Sequence, residues 1–62
     1  MPIAKIYVPA DLLTPEQRRD IIEGVARVIN TVEHRAPDAA TYVLINEVPS
    51  RGWGFKGRPY RP

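Results

Sequence analysis

The chain has 62 residues, no cysteine and a formal net charge of +2. That length fills one domain, residues 1–62, and such a domain buries only about 60% of the surface its unfolded chain exposes; without cysteine neither a disulfide nor a thiolate zinc site offsets the deficit, so a homo-oligomer is expected. No run approaches the roughly 20 apolar residues of a membrane span, and no basic region followed by a long apolar stretch opens the chain, which predicts a cytoplasmic protein without membrane contact.

Pro2 follows the initiator Met1 directly. Removal of Met1 would leave a secondary amine at the chain start. An α-amino group titrates at roughly 7.7–8 in model peptides, burial or neighbouring cations lower that value, and the neutral amine can act as a general base. The plainer role of such a proline is to begin a strand, where no ladder N–H is needed. Residues 3–8 alternate, with Ala4, Ile6 and Val8 on one face and Ile3, Lys5 and Tyr7 on the other, a half-buried strand that Pro9 ends. Thr14, Pro15 and Gln17 then spell a helix start: a cap, a proline at the first helical position and a glutamine three residues after the cap. Ile21, Ile22, Val25, Val28, Ile29 and Val32 recur at three- and four-residue steps, so they form one apolar face that must pack against a sheet, in a helix running to about Val32. Gly24 lies inside it, either tolerated or marking a close approach.

Pro37 closes the helical region, and residues 42–48 form a more continuously apolar run, as expected of a strand covered on both faces and parallel to the first. Residues 49–52 read as a turn, residues 53–55 as a short third strand or hairpin arm, and residues 58–62 as a tail ordered only against a neighbouring subunit. Charge is uneven along the chain. Up to Glu47 acids outnumber cations, whereas Arg51, Lys56, Arg58 and Arg61 share the last fifteen residues with no acid and are interleaved with Trp53, Phe55 and Tyr60. That end suits a small anionic guest, or stacking on a base.

Three segments carry a resemblance: Met-Pro-Ile-Ala-Lys-Ile at the start, Thr-Pro-Glu-Gln-Arg at the helix start, and Ile-Asn-Glu-Val-Pro-Ser-Arg-Gly-Trp-Gly near the end. Together they resemble the 4-oxalocrotonate tautomerase family of the tautomerase superfamily over almost the whole chain. The resemblance implies an α+β fold: a β-α-β subunit with a short C-terminal hairpin, its helix packed on a small, mainly parallel sheet. It implies dimers assembled into a homohexamer, as a trimer of dimers, or into a hexamer of dimers, with the terminal proline of each subunit at the base of a pocket between subunits. It also implies enol–keto chemistry on 2-oxo acids, in which the neutral Pro2 nitrogen takes a proton from the enol hydroxyl or an adjacent carbon and returns it at another carbon. No cofactor is implied. Trp53 matches the family's aromatic pocket wall. The family's two carboxylate-binding arginines are missing: one position holds Leu13, just before the helix cap, and the other holds Tyr42, at the start of the second long strand. That departure argues against the family's usual diacid, and Arg51, Lys56 and Arg58 are candidates to restore an anion site from another direction.

Each candidate has a plainer role beside it. Arg51 and Arg58 also fit solvated turn or interface positions. Trp53 fits oligomer filling as well as a pocket wall, and Tyr42 fits strand packing as well as a hydrogen bond to a substrate oxygen. Glu47 would activate water in a dehalogenase- or hydratase-like variant, or simply pair with an arginine. His34 stands alone near the helix end, where the dipole favours a cation, and no metal role is expected. Related lyase or decarboxylase chemistry on small unsaturated acids is the alternative within the family. A non-catalytic oligomer binding nucleic acid or protein through its basic aromatic tail is the alternative outside it, with nucleic acid not the expected partner.

Overall fold

The computed structural model describes residues 2–62. In chain order it comprises β1 (Ile3–Pro9), α1 (Pro15–Val32), β2 (Tyr42–Val48), one 3₁₀ turn (Ser50–Gly52), and a hairpin of β3 (Gly54–Phe55) and β4 (Arg58–Pro59). β1 and β2 are parallel neighbours, in register from Ile3 opposite Tyr42 to Pro9 opposite Val48. β3 and β4 pair antiparallel. The result is the α+β arrangement expected from the sequence, with α1 as the crossover between two parallel strands.

Both ends of α1 are set by local chemistry. Thr14 Oγ1 accepts the Gln17 N–H at 3.1 Å, Gln17 Oε1 accepts the Thr14 N–H at 2.9 Å, and Pro15 occupies the first turn, so the capping box read from the sequence is formed. At the other end the Arg35 N–H reaches the Asn30 carbonyl at 2.8 Å and the His34 N–H reaches that of Thr31 at 3.1 Å. These two bonds are a Schellman closure, with His34 in the left-handed position at φ 59°. His34 is therefore a terminator of the helix, in a conformation that suits glycine better than an L residue. His34→Gly should stabilise the chain by roughly 0.5–1 kcal/mol and raise its melting temperature by roughly 2–8 °C, read by thermal unfolding at fixed protein concentration.

The turn after α1 is held by one side chain. Asn30 is fully buried; its Nδ2 donates to the carbonyls of Pro37 at 2.9 Å and Ala39 at 3.2 Å, and its Oδ1 accepts from Arg35 Nη2 at 3.0 Å and from the Thr41 hydroxyl. Both donors and both lone pairs of the amide are used. Arg35 Nη2 also reaches the Ala40 carbonyl and Thr41 Oγ1, which closes the clasp at the point where β2 begins.

Packing departs from expectation in three places. The run 42–48 was expected to be covered on both faces, but alternate residues are open: Ile3, Lys5 and Tyr7 on β1, and Tyr42, Leu44 and Asn46 on β2. A helix about 10 Å across shields one side of two strands and leaves the other bare. The apolar stripe of α1 was expected to be covered by the sheet, yet Val28 and Val32 are 63% and 72% exposed. The stripe is wider than its contact, which is mainly with β2, and Ile21, Gly24, Val25, Val28 and Ile29 line an open apolar groove of about 450 Å³. A Cβ added at Gly24 would meet nothing within 4 Å, so no close approach within the chain calls for glycine there. The third departure concerns the tail. It folds back on its own chain: Lys56 and Gly57 take positive φ of 54° and 78°, the signature of a type I′ hairpin turn, and the Tyr60 N–H bonds the Trp53 carbonyl at 2.9 Å. Among the described residues no apolar side chain is fully buried. None of their helices is long and apolar enough to cross a membrane.

Candidate active site

Pro2 lies half-buried at the head of β1, where its carbonyl accepts the Tyr42 N–H at 3.0 Å. This bond fixes the proline backbone beside the start of β2. The Tyr42 side chain is on the open face of the sheet and 55% exposed. Met1, whose removal the base role of Pro2 requires, lies outside the described residues.

The remaining candidates sit at the opposite end of the sheet. Because β1 and β2 are parallel, their C-terminal ends meet at the Val48 carbonyl, which accepts the Ala10 N–H at 2.9 Å and the Trp53 indole N–H at 3.1 Å. Both lone pairs of that carbonyl are thus used, and they anchor the loop after β1 and the tryptophan ring together. A Cβ added at Gly52 would stand 3.1 Å from Val48 Cγ1, so the turn carrying Arg51 lies tightly on the strand end. Leu13 belongs to the same end, half-buried immediately before the cap of α1. Six residue steps along β2 separate the two ends, a distance of about 20 Å. Within one chain Pro2 and Tyr42 are therefore together, Trp53 and Arg51 are together, and the two sets do not meet.

Two hollows flank Trp53. The broader one lies over the hairpin, with Arg51, Lys56 and Arg58 among its lining residues; Lys56 Nζ is 5.5 Å from the centre of the Phe55 ring, and the Phe55 and Tyr60 rings are 5.5 Å apart. The narrower one, of about 230 Å³, is lined by Ser50, Arg51, Trp53, Pro59, Tyr60 and Arg61. Arg61, Ser50 and Tyr60 were not among the residues expected from the sequence at a substrate site; Arg61 and Tyr60 were visible only as members of the basic aromatic tail, and Ser50 only as a turn residue. Arg58 was expected near substrate, and it lines the broader hollow but not the narrower one. Glu47 pairs with Arg18 at 3.5 Å, both side chains more than a third exposed, so the pair contributes little to stability. Among the described residues no three His, Cys, Asp or Glu side chains converge as a metal site.

The fold is a small parallel β-α-β unit with a C-terminal hairpin, the arrangement of tautomerase subunits. The family described as Tautomerase enzyme matches residues 2–61, and the chain belongs to it. A curated relative, the probable tautomerase K2 of Dickeya dadantii, is 35% identical over 57 residues, which span 92% of this chain and 84% of that one. Among solved structures, apo unFused 4-OT superposes with a TM-score of 0.81 at 27% identity, over 95% of this chain and 93% of that one. DmpI from Helicobacter pylori gives 0.77 at 33% identity over 94% of both chains. A 4-oxalocrotonate tautomerase isozyme from Methylibium petroleiphilum gives 0.76 at 32% identity, over 90% of this chain and 87% of that one.

Proposed function

We propose that the protein is an isomerase that interconverts the enol and keto forms of small 2-oxo acids, with the Pro2 nitrogen, freed by removal of Met1, as the general base. The observation that carries this reading is family membership over a stretch that begins at Pro2 itself. A secondary amine at a strand head has few accessible orientations, because the Tyr42 N–H holds the adjoining carbonyl. The neutral nitrogen takes the proton of the enol hydroxyl as the carbonyl forms, and the ammonium so produced delivers a proton to the carbon that becomes saturated. No electrons leave the substrate, and no cofactor enters the scheme.

The site is composite. Pro2 and the Trp53 end of one chain are about 20 Å apart, so the tryptophan that walls the pocket would come from another copy. The bare sheet face and the open helix groove supply the apolar surface for such an assembly, which we take to be a homo-oligomer of the hexameric type. A test needs two measurements on the same preparation. Intact mass should be that of the chain lacking Met1, and the protein should accelerate ketonisation of a simple enol such as that of phenylpyruvate. Retention of Met1 would make the Pro2 nitrogen an amide without basicity and would end the proposal.

A further inference from the structure

The narrow hollow beside Trp53 has the chemistry of a carboxylate site. Arg51 and Arg61 both line it, and among the described residues neither has a carboxylate within 4 Å; the ion pairs present are Arg18 with Glu47, Arg19 with Asp20, and Arg35 with Glu33. Ser50 and Tyr60, which carry hydroxyl groups, belong to the same lining, as do the apolar Trp53 and Pro59. The ring is fixed by its indole bond to the Val48 carbonyl, and the chain carrying Tyr60 and Arg61 is fixed by the Tyr60 N–H bond to the Trp53 carbonyl. The hollow is therefore built by local hydrogen bonds rather than by chance proximity of long side chains. Its volume, about 230 Å³, falls below the roughly 300–1,000 Å³ of sites for drug-sized ligands. That size suits a small acid.

From this geometry, and resting on the tautomerase reading above, we infer that Arg51 and Arg61 together bind the substrate carboxylate, and that the substrate is a monocarboxylic 2-oxo acid with an apolar substituent. Arg51 and Arg61 line the same small hollow, Lys56 and Arg58 line the other one, and Leu13 and Tyr42 offer no charge for a second carboxylate. Planar guanidinium groups pair with carboxylates through two parallel N–H bonds. The apolar part of the substrate then lies along Trp53 and Pro59.

The test compares the enol of phenylpyruvate with the enol of its methyl ester, which has the same shape and no charge. Arg51→Gln combined with Arg61→Gln should lower kcat/KM for the acid by about 10- to 100-fold, as expected for loss of charge-assisted hydrogen bonds, and change that for the ester by less than about twofold. Both arginines are exposed, and activity on the ester reports that the variant is folded and assembled. Equal effects on acid and ester would overturn the assignment, provided that, where both are lost, far-ultraviolet dichroism and sedimentation match those of the parent. Pro2→Ala separates the two levels: if it leaves turnover intact, the tautomerase reading itself fails, whereas a Pro2-dependent enzyme whose arginine variants treat acid and ester alike refutes only the carboxylate site.

Discussion

Replacing Pro2 by alanine should lower kcat/KM for ketonisation of a small 2-oxo-acid enol by about 10²- to 10⁴-fold, the usual contribution of a positioned general base. Alanine at the chain start still offers an α-amino group, so the expected loss is incomplete and comes from position and basicity. Proline fixes φ near −65° and carries its nitrogen in a ring, whereas a primary amine on alanine rotates freely about its bond to Cα. The Tyr42 N–H continues to hold the carbonyl of residue 2 in either protein, so the strand should start in the same place and the far-ultraviolet dichroism should not change. Activity within about threefold of the parent, with the first residue confirmed by mass, would mean that the nitrogen at position 2 is not the base.

The largest effect on stability should come from Asn30→Ala. The buried amide satisfies the Pro37 and Ala39 carbonyls and receives bonds from Arg35 and Thr41. Truncation removes the donor to two carbonyls through bonds that are part-buried, with Pro37 itself exposed. The net loss of an ordinary hydrogen bond costs about 0.5–1.5 kcal/mol, or about 1–3 kcal/mol for the two. Small domains have only about 5–15 kcal/mol in total, so the variant should be measurably less stable. Denaturant titration at matched protein concentration would measure this, since the stability of an assembling chain depends on that concentration. A shift below about 1 kcal/mol would show that water or a backbone adjustment replaces the clasp.

The elements near the start of the chain were legible because their signals are local. Thr14, Pro15 and Gln17 specify a helix start through contacts three residues apart, and the alternation from Ile3 to Val8 is the period of a strand with one covered face. β1 runs one residue further than that alternation suggested, because Pro9 needs no N–H to stand opposite Val48 and the ladder resumes at Ala10. Asn30 could not be read this way. Its partners lie five to eleven residues ahead in a turn that exists only once the helix has ended, and within the helix pattern it looks like any polar position. The narrow hollow beside Trp53 was hidden for the same reason. Charge counting showed that the C-terminal residues would favour an anion, but only the hairpin geometry decides that Arg61 joins Arg51 in the narrow hollow while Arg58 lines the broader one. The resemblance supplied Pro2 and Trp53 as a pair, and the parallel register then shows them to be at opposite ends of one chain.

That opposition has a consequence at the bench. If a reactive cleft takes its base from one molecule and its aromatic wall from another, a chain lacking Pro2 and a chain lacking Trp53 are each crippled in every cleft of a pure preparation. Denatured together and refolded as a mixture, the two damaged chains should rescue one another, because some clefts in the hybrids receive an intact contribution from each parent. Mixing without unfolding should restore nothing until molecules exchange, so the time course of recovered turnover would report how fast the copies trade places.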